Sequence, residues 1–174
     1  DPLHHFAEAE LYLAGVSTEK ELVEGFRSEY PEQELLELAI DYVGLGRRAD
    51  AIELLELGET ALGHAMLGVW RAYLTEDPGA LDGGVDPDFV FPYRLESIPA
   101  LEWAVASDSH WSWAYLLGLN LWARDRVPEA AELFIGLDQR PDYGPFYVSR
   151  ALMVSDFEDG GLIGQINSES DFRN

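Results

Sequence analysis

Two stretches decide the fold. Leu38-Ala39-Ile40-Asp41-Tyr42 is followed by Ala51-Ile52-Glu53-Leu54-Leu55, and Leu117-Gly118-Leu119-Asn120-Leu121 by Ala130-Ala131-Glu132-Leu133-Phe134. In both, a small residue precedes an alanine by twelve positions (39 to 51, 118 to 130). Small residues at Ala39, Ala51, Gly118 and Ala130 let two helices approach closely, while Tyr42, Leu55, Leu121 and Phe134 fill the space between them. The same spacing in two separate places is the signature of a helical repeat rather than of a single hairpin.

Outward from these stretches the helical period continues. From Glu32, the residues Leu35, Leu38, Ala39 and Tyr42 form one stripe, and Leu36, Ile40 and Val43 a second. A helix apolar on two sides is packed on two sides. Gly44 and Gly46 end it, and Ala51, Ile52, Leu55 and Leu57 mark its antiparallel partner. Upstream, a helix over 2–14 starts with Pro2, which suits a first turn, and stops at Gly15. The next begins at Thr18, which forms a capping-box pattern with Glu21. Downstream, 61–75 reads as a helix with Met66, Trp70 and Tyr73, but Pro78, Gly79, Gly83, Gly84 and Pro87 crowd the segment where its partner is expected. Helix resumes from Ser97 to Ser107, the second repeat covers 109–137, and 145–154 starts a further unit. Phe89 to Tyr93 reads as extended loop, restricted by Pro92.

These elements resemble the tetratricopeptide repeat, whose L-G, then Y, then A-x-x-x-F pattern the two stretches match. The second unit departs from it at Leu121, where the family has tyrosine. Neither unit has the tryptophan one turn before the L-G pair. The resemblance implies an all-α fold of antiparallel helix pairs stacked as a short right-handed α-solenoid. Its organisation would be one domain over 1–154, comprising a helical hairpin at 1–30, a repeat at 32–58, a degenerate repeat at 61–106, a repeat at 109–137 and a truncated helix at 145–154. An acidic, poorly ordered tail at 155–174 would follow. In the family the first helix of each pair lines a concave face, which implies a groove formed by Leu36, Ile40, Val43, Val69, Tyr73, Tyr115, Leu119 and Trp122, with Tyr73, Tyr115 and Trp122 foremost.

A narrower resemblance rests on Asp1-Pro2-Leu3-His4-His5-Phe6, Val90-Phe91-Pro92-Tyr93-Arg94, Leu101-Glu102-Trp103-Ala104 and Pro145-Phe146-Tyr147-x-x-Arg150-Ala151. These strings are similar to the tetratricopeptide tail of large multidomain proteins whose uncharacterised N-terminal domain looks like the β-sandwich of sugar mutarotases. The similarity implies a carbohydrate-related parent protein and no activity for this piece. The opening at Asp1, without methionine, is in keeping with an excised piece.

Charge narrows the partners. Asp and Glu number 33 against 11 Lys and Arg, a net charge of −22 at pH 7, and Lys20 is the single lysine. Such a surface repels nucleic-acid phosphates and anionic membranes. It fits either a salt-rich host cytoplasm, where ions screen the repulsion, or a basic partner. Without cysteine, thiol catalysis and Cys-type zinc sites are excluded. The uncharged stretch Trp111 to Ala123 is too short to span a bilayer, and the N-terminus has no signal-peptide pattern, which favours the cytoplasm.

Candidate chemistry is sparse. His4 and Glu8, one helical turn apart, lack a third ligand for zinc. Asp82, Asp86 and Asp88 offer oxygen ligands for calcium without the EF-hand order. His64 and His110 have no triad company, and no nucleophile elbow or P-loop is present. The expectation is a module with no catalytic residue, cofactor or metal that binds a protein or peptide, or braces its own upstream domain. The rival readings are carbohydrate binding through groove aromatics and, more weakly, part of a glycan-processing enzyme.

Overall fold

The computed structural model describes residues 2–26, 29–62, 65–81, 83–88, 90, 92–138, 140–153 and 155. Among them every regular element is helical. The chain divides into two compact units, Asp1–Phe91 and Pro92–Asn174.

The first unit contains α1 (Pro2–Leu13), α2 (Glu19–Gly25), α3 (Pro31–Gly44), α4 (Arg48–Ala61) and α5 (Ala65–Thr75), then a 3₁₀ turn at Pro78–Leu81. Each boundary has a local cause. The Thr18 N–H donates to Glu21 Oε2 at 2.8 Å and the Glu21 N–H to Thr18 Oγ1 at 3.3 Å, closing the expected capping box. α3 starts with Pro31 in its first turn, where a missing N–H costs nothing. α1 and α3 end in the same Schellman geometry. The Gly15 and Gly46 N–H groups bond Tyr12 O and Val43 O, and the following Val16 and Arg47 N–H groups bond Leu11 O and Tyr42 O. Both glycines take positive φ, +69° and +76°. α5 ends in the same pattern but with Glu76 at φ 56°, a conformation that disfavours a side chain.

α3 packs on α4, α4 on α5, and α5 on the 3₁₀ turn. Leu35, Leu54, Leu55 and Tyr42 are fully buried. Gly58 of α4 receives side chains from both α3 and α5: a Cβ there would stand 2.6 Å from Leu35 Cδ2 and 2.8 Å from Leu67 Cδ1. α1 is tied on by side chains. Glu10 accepts hydrogen bonds from the Tyr42 hydroxyl and the Arg47 guanidinium, Arg47 lies 4.7 Å over the Tyr42 ring, and Phe6 stacks on the same ring at 5.5 Å.

The second unit contains α6 (Ser97–Ser107), α7 (Trp111–Trp122), α8 (Val127–Leu137) and a helix α9 over 144–153. α6 packs on α7 and α7 on α8. Its irregular start is fastened to α7: the buried Asn120 Nδ2 donates to Pro92 O and to Arg94 O, and Arg124 donates to Tyr93 O. At the turn into α7, Asp108 Oδ1 accepts from the His110 N–H at 2.6 Å, and His110 Nδ1 accepts from the Ser112 N–H at 3.4 Å. His110 is therefore a cap.

The all-α class and the paired helices agree with expectation. The expected domain over 1–154 spans both compact units. The segment read as a degenerate repeat, 61–106, is divided between them, with α5 in the first and α6 in the second. The physical reason lies in 77–88, where proline and glycine allow one 3₁₀ turn and no partner helix for α5. The last helix begins one residue earlier than expected. The tail at 155–174 lies outside the described residues apart from Ser155, as do Asp82 and His64.

Candidate functional site

A concavity in the second unit follows from how α7 is packed. A Cβ on Gly118 would stand 2.7 Å from Phe134 Cδ2, so the bare backbone of α7 receives the Phe134 ring of α8. That ring is fully buried, stacked on Phe146 at 5.4 Å and tilted against Tyr115 at 5.6 Å. α8 is drawn in at this point and α6 lies on another flank, and between them Ala114 of α7 is half-buried while Leu117 and Leu121 are only 4% and 3% exposed. The result is a cleft of about 450 Å³.

Its floor is Ala114, Leu117 and Leu121 of α7, and its walls are Val105 of α6 and Leu133, Gly136 and Leu137 of α8. Carboxylates stand on both rims, Glu102 on the α6 side and Glu129 and Glu132 on the α8 side, with Arg140 at one end. Glu129 is held by a two-point contact from Arg126, with Nε to Oε1 at 2.7 Å and Nη2 to Oε2 at 2.5 Å, and this hydrogen bonding keeps its carboxyl below the usual range. Glu102 and Glu132 have no ion-pair partner among the described residues. Arg140 donates to Leu137 O and Gly136 O, so its charge faces the cleft end without a carboxylate. An apolar floor between acidic rims binds apolar groups that carry positive charge at their edges. The cleft's ionisable lining consists of these three carboxylates and one guanidinium.

The expected groove residues are placed otherwise. Leu36, Ile40, Val69 and Tyr115 are buried, from 1% to 5% exposed, which corrects their reading as groove surface: the second stripe of each helix is covered by neighbouring elements. Tyr115 is enclosed by Trp111, Phe134, Tyr143 and Phe146. Val43, Tyr73, Leu119 and Trp122 are half-buried, and Tyr73 meets Trp70 edge-on at 6.0 Å. Leu36, Ile40, Val43, Val69 and Tyr73 belong to the first unit, and Tyr115, Leu119 and Trp122 to the second. None of the five tryptophans is exposed; Trp70 and Trp113 are buried and the other three half-buried.

Other candidates have structural occupations. His4 Nε2 meets Glu8 Oε1 at 3.0 Å on the surface of α1. Asp86 accepts from the Asp88 N–H at 3.0 Å, closing an Asx turn. No cluster of three or more potential metal ligands occurs among the described residues, and no helix there is long and apolar enough to cross a membrane. Residues that sequence reasoning missed, Glu102, Ala114, Glu132, Leu133 and Gly136, share the cleft. The readable signal was the helical spacing of Ala114, Leu117 and Leu121. In comparisons with protein families, curated proteins and solved structures, the chain has no match.

Proposed function

We propose that this chain is a non-catalytic protein-binding module built from tetratricopeptide-like helix pairs. The observation that carries the reading is the cleft along α7, apolar at its base and bordered by carboxylates on α6 and α8. Two further features support it. The twelve-residue spacing corresponds to a real close approach at Gly118 and Phe134, and the −22 charge suits a basic partner. None of the five tryptophans is exposed, which favours protein binding over a carbohydrate-stacking platform. The narrower resemblance adds a scaffolding role, in which the partner is the upstream part of the same protein.

The test is affinity capture with residues 1–174 as bait at low and high salt, with any upstream region of the parent protein offered separately. The reading expects capture of a discrete protein, weakened as salt screens the acidic surface. Capture of nothing at either salt, together with turnover of glycan substrates by the isolated chain, refutes it.

A further inference from the structure

We infer that the cleft along α7 receives an amphipathic helix of a partner protein, with an apolar stripe bordered on both sides by lysine or arginine. The inference rests on the reading of the chain as a binding module and names the chemistry of its partner. Length is the first argument. The cleft follows α7 from Ala114 to Leu121, seven steps or about 10 Å at about 1.5 Å per residue, the distance covered by positions i, i+4 and i+7 of a docked helix; with Leu117 and Leu121 only 4% and 3% exposed, the docked side chains rest on Ala114 and on the walls at Val105 and Leu133. Charge is the second. Carboxylates stand on opposite walls, Glu102 on α6 and Glu129 and Glu132 on α8, so a stripe lying on the floor meets negative charge along both borders. Arg140 marks the end near Leu137 and Gly136. It complements the negative C-terminal end of a helix dipole and so sets the direction in which the partner lies.

Other occupants fit less well. An extended peptide gains most of its affinity from main-chain bonds to a sheet edge, and the described residues contain no strand. A second copy brings another −22 surface against acidic rims. The occupant is also not a segment of residues 1–174, since one lysine and ten arginines among 33 carboxylates nowhere flank an apolar stripe on both sides. Nor is the cleft the concave groove implied by the repeat resemblance. At about 100° per residue, Tyr115, Leu119 and Trp122 lie about 140° round α7 from Ala114, Leu117 and Leu121.

The test uses residues 1–174 and a fluorescent, lactam-stapled helical peptide of about 18 residues, five turns. It carries leucine at i, i+4 and i+7 with lysine on both borders. The control is a peptide of the same composition, shuffled so that leucines fall all round the helix. Anisotropy titrations give affinity, and ¹⁵N shift mapping gives location. The patterned peptide is expected to bind at least about tenfold more tightly than the shuffled one and to shift amides of α6, α7 and α8. Gly136→Trp should weaken it at least about tenfold by filling the cleft; a Cβ at 136 has nothing within 4 Å, so the helix tolerates the change and a thermal melt verifies folding. Glu102→Gln combined with Glu132→Gln should weaken it about three- to tenfold and flatten its salt dependence. Equal binding of the two peptides, shifts scattered over the acidic surface, or indifference to Gly136→Trp overturns the inference. If Gly136→Trp still captures the same natural partner while the patterned peptide fails to bind, the module reading stands and this cleft is not its site. Failure of capture by the unsubstituted chain as well removes both.

Discussion

Gly118→Ala and Gly136→Ala make the same chemical change in neighbouring helices, and their effects are expected to have opposite signs. In an exposed helix interior, replacing glycine by alanine stabilises by about 1 kcal/mol because the unfolded chain loses freedom. At Gly136 nothing lies within 4 Å of the new Cβ, so this gain is realised. At Gly118 the new Cβ would stand 2.7 Å from Phe134 Cδ2, about 1 Å inside a comfortable carbon–carbon contact. The ring cannot retreat cheaply, since it is 0% exposed and has Phe146 and Tyr115 against it. Overpacking of this kind costs about 1–3 kcal/mol. Set against the propensity gain, the net is a loss of up to about 2 kcal/mol, so the two variants differ by about 1–3 kcal/mol. Urea titrations followed by tryptophan fluorescence suit the question, because Trp103, Trp111, Trp113 and Trp122 all lie in the second unit. With a slope of about 1–3 kcal/mol per molar urea, the midpoints should separate by about 1 M. Adding Phe134→Leu to Gly118→Ala should recover most of the loss relative to Phe134→Leu alone. If Gly118→Ala raises the midpoint as Gly136→Ala does, α7 and α8 do not meet at this point and the account of the cleft fails with it.

Three further outcomes are expected. Asn120→Ala removes the donor that serves Pro92 O and Arg94 O inside the protein and should lower the stability read from the same fluorescence transition by about 1–3 kcal/mol, while circular dichroism of the helices at zero denaturant is unchanged. Glu76→Gly relieves a side chain held at φ 56° after α5 and should raise thermal stability by about 1 kcal/mol; a fall in the melting temperature contradicts the Schellman assignment. The Glu10 carboxyl is held below its ordinary 4.5, first by the Tyr42 hydroxyl and then by Arg47. A depressed folded value stabilises above the unfolded pKa and is lost as pH falls through the folded one. The stability gap between the unsubstituted chain and Glu10→Gln should therefore be full at pH 6–7 and close on acidification below about 4.5, and a gap independent of pH refutes the contact.

Where structure is set by neighbours in the chain, it was legible. The capping box at Thr18 and Glu21, the stops at Gly15 and Gly46, and the small residues twelve apart all act within one or two helices. Their sequence signals and their physical causes are the same contacts. The end of α5 at Thr75 also falls where the sequence places it, although the left-handed position after it is filled by Glu76 and not by glycine, a detail that periodicity does not carry. The groove was misread for a different reason. An apolar stripe shows that something covers a helix and not whether the cover belongs to the same chain, so Leu36, Ile40, Val69 and Tyr115 read as open and are packed. The cleft needed three helices to be placed before Glu102 and Glu132 could face each other across Leu117. Periodicity along any one of those helices does not contain that fact.

The fastening of Pro92–Arg94 to α7 has a consequence for biosynthesis. Most helices in each unit meet a partner that follows within a short turn, and so can find it almost as soon as both leave the ribosome. The 92–94 segment must wait for Asn120, 28 residues later than Pro92. At about 5–20 residues per second this is a delay of about 1.5–6 s. Throughout that interval Pro92 O has no internal donor and the start of the second unit hangs free. A chain halted after Arg94 has left the ribosome and before Asn120 has done so would thus present an unfastened start to its second unit, open to a chaperone or a protease.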